Sequence, residues 1–180
     1  WSCGRSGSTS LVLKTNLQNH TTDVIDNGSL FIVPATAIDA LSDDFVVIVG
    51  EDDIYAVYEN NDFYVSSVGI DVNPNFTSIK VFSKSHWMIC GDRGIYLTFD
   101  GGKTWKKTLD FGYHSKAYFF DELVGYAASS VDVYHTIDGG LTWKKTDEVF
   151  HSSSVAILPD PNNVNNVCFV YETGVTMGVA

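Results

Sequence analysis

The eleven residues at 95–105, IYLTFDGGKTW, return 38 residues later as VYHTIDGGLTW at 133–143. The two agree at Tyr, Thr, Asp, Gly, Gly, Thr and Trp, and both run on as Lys-Lys-Thr. Chance does not reproduce such a match. The chain is therefore built of repeats, and its fold has to be modular, with a period near 40 residues.

The repeat extends upstream. Nine-residue frames ending on the first residue of each motif read WMICGDRGI (87–95) and GYAASSVDV (125–133). The same frame fits VVIVGEDDI (46–54) and VCFVYETGV (167–175), so the anchors are spaced by 41, 38 and 42 residues. Each frame is an apolar run, then small or polar residues, then Ile or Val. The copy at 54–64, IYAVYENNDFY, carries Asn60-Asn61 where the others have Gly-Gly. A further apolar run precedes every frame: AIDAL near 37, SIKVF near 78, KAYFF near 116 and SVAIL near 154.

One unit is thus four short runs rich in Val, Ile, Tyr, Phe and Trp, separated by turn signals, which is strand chemistry. Helical spacing is sustained nowhere. Four antiparallel strands per 40-odd residues describe a blade of a β-propeller, so the expected class is all-β. In the best unit strand A is expected at 79–82, B at 87–90, C at 95–99 and D at 104–108. A and B lack alternation and are expected to be buried on both faces between blades. D carries Lys106-Lys107 and is expected to be the outer, wet strand, where lysine discourages pairing with other chains. Tyr55, Tyr96 and Tyr134 share one register of C, which suggests packing between repeats. The units are expected at 31–70, 77–109 and 115–147, with partial units at 1–30 and 154–180.

Composition removes several classes. Aromatics at 13% and hydrophobic residues at 44% give a folding chain rather than a disordered one. No apolar run is long enough to span a membrane as a helix. With 22 acids against 11 bases the net charge is −11, which argues against nucleic acid and favours a basic protein surface as partner. Three cysteines make no disulfide framework and no zinc spacing; Cys90 and Cys168 fall in B strands two blades apart and read as small buried residues. No cofactor and no metal site is expected. Sequons start at Asn19, Asn27 and Asn75, which tilts the expectation toward a secreted, lumenal or particle-associated protein.

The stretch Thr98-Phe99-Asp100-Gly101-Gly102-Lys103-Thr104-Trp105, and again Thr136-Ile137-Asp138-Gly139-Gly140-Leu141-Thr142-Trp143, resembles the Asp-box of sialidase-type (BNR) repeats. With Trp87, Gly91, Gly94 and Ile95 upstream, the longer pattern resembles the photosystem II assembly/stability-factor propellers. The resemblance implies a structural box at Thr98, Asp100, Gly102, Thr104 and Trp105, and at Thr136, Asp138, Gly140, Thr142 and Trp143, stiffening hairpins away from any active site. It also implies a non-catalytic, protein-binding or assembly role. A sialidase would need three arginines to clamp a carboxylate, and this chain has only Arg5 and Arg93. No catalytic residue is assigned. The alternative is a fragment of a glycoside hydrolase using a carboxylate pair.

Loops at one end of a blade share a rim. The B–C loops supply Glu51, Asp52, Asp53, Asp92, Arg93, Asp132 and Glu172; the D–A connections supply His114 and His151. These are the candidate binding rim. The stretch Gly4-Arg5-Ser6-Gly7-Ser8 reads as a degenerate B–C turn, so the chain is expected to start and stop inside blades. Trp1 reads as a cut or a boundary, and a segment of a larger propeller is favoured over a small closed ring. Either way, further chain or a partner is expected to cover the open blade edges.

Overall fold

The computed structural model describes residues 1–6, 9–26, 28–70, 74–110, 115–149, 155–160, 163 and 167–171. Seventeen strands and no helix occur among them. The first sheet joins β1 (Ser2–Ser6), β2 (Thr9–Asn16) and β3 (Thr21–Asp26). The second joins β4 (Ala35–Ser42), β5 (Phe45–Gly50), β6 (Ile54–Glu59) and β7 (Asp62–Ser67). The third joins β8 (Phe76–Val81), β9 (Trp87–Gly91), β10 (Gly94–Thr98) and β11 (Lys106–Leu109). The fourth joins β12 (Lys116–Phe119), β13 (Gly125–Ala128), β14 (Asp132–Thr136) and β15 (Lys144–Val149). The last pairs β16 (Val155–Pro159) with β17 (Val167–Tyr171). Every sheet is an antiparallel meander in chain order, as propeller blades are.

The first strands β4, β8, β12 and β16 lie against one another in sequence, so they form the inner edges of the sheets. The second strands are the core. Phe45, Val47 and Val49 of β5 pack against Val81, Trp87 and Ile89 of the third sheet, while Val46 and Ile48 pack the other way, against Val12 and Phe31. One blade on, Met88 and Cys90 of β9 face Phe119 and Ala127. Alternate side chains serve alternate neighbours, which is why these runs read as continuous hydrophobic stretches.

Three expectations are corrected. Strand A is not buried on both faces: β4 and β8 are half-exposed along most of their length, because the inner edge of a sheet meets its neighbours only in part. Strand D starts at Lys106 and Lys144 rather than two residues earlier, because Asp100 and Asp138 hold a wider turn. Residues 2–6 are a strand rather than a corner: β1 pairs with β2 from Ser2↔Leu13 to Ser6↔Thr9.

Candidate functional site

The C–D turns come first because they repeat. Thr98 Oγ1 donates to Asp100 Oδ1 (2.8 Å) and accepts from the Gly102 N–H (2.9 Å). Asp100 in turn accepts from the Thr104 N–H (2.9 Å) and the Thr104 hydroxyl (2.6 Å). The same set recurs on Thr136, Asp138, Gly140 and Thr142. Gly101, Gly102, Gly139 and Gly140 all have φ between +72° and +87°, the region that glycine enters without a steric penalty. The hydrogen bonds from Thr104 pull the Asp100 carboxyl down to about 2, and those from Thr142 lower Asp138. Both carboxylates spend their acceptors inside their own turns.

The turn docks on the preceding blade. Tyr55 Oη donates to Gly102 O (2.9 Å), and its ring meets Trp87 and Trp105 edge-on. Trp143 meets Phe119 edge-on at 5.9 Å and donates through Nε1 to Thr108 Oγ1.

The rim at the opposite end of the sheets is assembled by Asn75. Its N–H donates to Asp92 Oδ1 (3.0 Å), its carbonyl accepts from the Asp92 N–H (3.1 Å), and its Oδ1 accepts from the Asp52 N–H (3.4 Å). Two B–C loops are thereby tied together, with Asp52 and Arg93 exposed and Asp92 half-buried. Asp53 is a different case. It is buried, and its Oδ2 accepts from Ser67 Oγ and from the N–H groups of Gly69 and Ile70, so it brackets the chain leaving β7. Its φ of +69° falls where the repeat has Gly94 at +133°, a clue the sequence carried unread. Glu51 is half-buried beside Pro34, to whose carbonyl its N–H donates. Asp132 stands apart, paired with Lys145 at 2.6 Å and bonded by Tyr134. His114, His151 and Glu172 lie outside the described residues. Among the described residues no group of three or more His, Cys, Asp and Glu side chains is arranged to hold a metal ion.

Two features escaped the sequence reading. Asp26 is buried and accepts from Ser29, Leu30 and Phe31, seating the Phe31 ring in the core. Burial alone would raise its carboxyl, but these hydrogen bonds outweigh it and lower it. The second is a groove of about 320 Å³ between the second and third sheets, at the C–D end. Its floor is Tyr55 and Trp87, and Tyr64 of β7 lines one wall.

Two solved structures share this architecture. YCF48 from Cyanidioschyzon merolae superposes with a TM-score of 0.58 at 17% identity, over 76% of this chain and 50% of its own. A structure of YCF48 bound to D1 peptide gives 0.54, also at 17% identity, over 64% and 40%. The fold resembles the photosystem II assembly-factor propellers. At this identity the likeness is one of fold, and the chain spans half or less of either structure's length. No family model and no curated protein matches the sequence.

Proposed function

We propose that the chain is part of a β-propeller that binds another protein without catalysing a reaction on it. The observation that carries this reading is the Asn75 hub, which holds the acids of two neighbouring blades on one rim over fully buried strands. Loops on a rigid support suit recognition. The similar fold of YCF48, one structure of which is bound to a D1 peptide, supports a peptide or protein ligand over a sugar. Asp100 and Asp138 act as structural clasps in this reading, since their acceptors are engaged locally. Three four-stranded sheets flanked by shorter ones fit one propeller domain or a segment of a larger propeller.

The favoured partner surface is basic, because the rim carries exposed acid and the whole chain carries −11. The test is fluorescence anisotropy with a labelled Lys/Arg-rich dodecapeptide and a Glu-rich control. The basic peptide should bind more tightly, and its affinity should fall with salt. The double variant Asp52→Asn/Asp92→Asn keeps the shape and the acceptors, and Asn tolerates the Asp52 φ of +56°. It should weaken binding severalfold. Equal binding by the variant would remove the acidic rim from the docking face.

A further inference from the structure

We propose that β7 is a docking edge for an extended, mildly acidic peptide segment of a partner protein. The segment adds to the second sheet as a fifth strand and drops alternate side chains into the groove beside it. This rests on the reading that the chain binds protein, and it places a contact at the opposite end of the sheets from the acidic rim.

β7 ends the order β4-β5-β6-β7, so its outer main-chain edge is unpaired within the sheet. The turn before it has two residues, Asn60 and Asn61, at φ +51° and +71°. Such a turn makes Glu59 and Asp62 the hydrogen-bonded closing pair. Residues 62, 64 and 66 therefore spend their backbone groups on β6, and residues 63, 65 and 67 point theirs outward. The outer strands of the next two sheets begin with exposed lysine pairs, Lys106-Lys107 and Lys144-Lys145, the usual guard against strand addition. β7 has no lysine, and Tyr64 (58%) and Val65 (41%) stand exposed on it.

The groove says what the added strand should carry. Tyr64 and Ser66 face it, so alternate residues of a strand laid along β7 fall over Tyr55 and Trp87, which calls for an apolar or aromatic side chain there. Lys84 at the mouth is already paired with Glu59, and the Asp100 carboxylate is satisfied by Thr104. Lys103 has no ion-pair partner among the described residues, so one acidic side chain on the incoming strand completes the site. A second copy of this chain is the poorer occupant, since two molecules of charge −11 repel.

The probe is a fluorescein-labelled nonapeptide in which Phe, Val and one Glu alternate with Thr, together with its counterpart carrying Lys for Glu. At about 150 mM salt, where the net charge is screened, the Glu peptide should bind the chain saturably and about threefold more tightly than the Lys peptide. Val65→Pro removes one outward N–H and nothing from the β6 ladder, and should abolish binding. Val65→Lys supplies the guard found on the outer strands of the third and fourth sheets and should do the same if the proline variant fails to fold. Lys103→Glu should reverse the preference between the peptides, and Asp52→Asn/Asp92→Asn should leave both unchanged. Wild-type binding by folded Val65→Pro or Val65→Lys overturns the proposal. So does a light-scattering mass showing a dimer that Val65→Lys dissociates. If the Lys/Arg-rich dodecapeptide binds and the nonapeptide does not, the β7 inference falls alone. If neither binds, the protein-binding reading falls with it.

Discussion

Single side chains hold the turns of this protein, and they do so as acceptors. Asp26 is buried and takes hydrogen bonds from three successive residues. Asp26→Ala would leave the Phe31 N–H buried and unpaired, and should cost about 2 kcal/mol by chemical denaturation. Asp100 sits on the surface and acts through geometry and charge. Its folded pKa of about 2 lies below the ordinary carboxylate value of about 4. The stability it contributes is complete above that ordinary value and is lost as pH falls toward 2; Asp138 shifts in the same direction. The denaturation midpoint of Asp100→Asn/Asp138→Asn should therefore fall less steeply between pH 4 and 2 than that of the unmodified chain. Gly102 is the steric counterpart. A Cβ there would come within 2.6 Å of the Tyr55 hydroxyl and 2.9 Å of Trp87, at a φ of +87°. Gly102→Ala should cost about 2 kcal/mol and unseat the Tyr55 hydrogen bond, visible as a change in tryptophan fluorescence.

Between blades, the repeated elements solve the same packing problem with different residues. In the third sheet Trp87 opens the second strand and packs beneath the Gly101-Gly102 turn. The fourth sheet has Gly125 at that register, which in sequence reads as decay. The structure shows Phe119 lying over Gly125, within 2.8 Å of where a Cβ would be, and reaching Gly140 as Trp87 reaches Gly102. The ring is supplied by the first strand instead of the second. Phe119→Ala should cost about 3 kcal/mol, since it empties a buried position between the Phe82 and Trp143 rings. The second sheet has lost the box outright. Val57 stands for Thr98, Glu59 for Asp100, and Asn60-Asn61 for the glycine pair. Without the clasp the turn shrinks to two residues, β7 begins at Asp62, and Glu59 is released to pair with Lys84. The motif decay was legible in the sequence. Its consequence, an outer strand without lysine beside an aromatic groove, was not.

The sheets together are cemented by clusters that lie between blades, each drawing residues from neighbouring units. The charge is spread over that stack. At −11 the molecule repels itself, and in the ion pairs of Lys80, Lys84, Lys107 and Lys145 the lysine is exposed. Raising salt from about 10 mM to about 150 mM shortens the Debye length from about 30 to about 8 Å and should raise the melting temperature. A fall would mean that surface pairs such as Lys80–Asp39 outweigh the repulsion. The repeat period, the strand chemistry and the Gly-Gly turns were set by the sequence by itself, because each depends on residues close together in the chain. Tertiary structure alone decided that Asp53 turns inward while Asp52 faces water, that Asn75 ties two loops, and that Phe119 stands in for Trp87. Asp53 answers to the chain leaving β7, which it brackets, whereas the Asn75 tie and the Phe119 ring depend on what a neighbouring blade places across the interface.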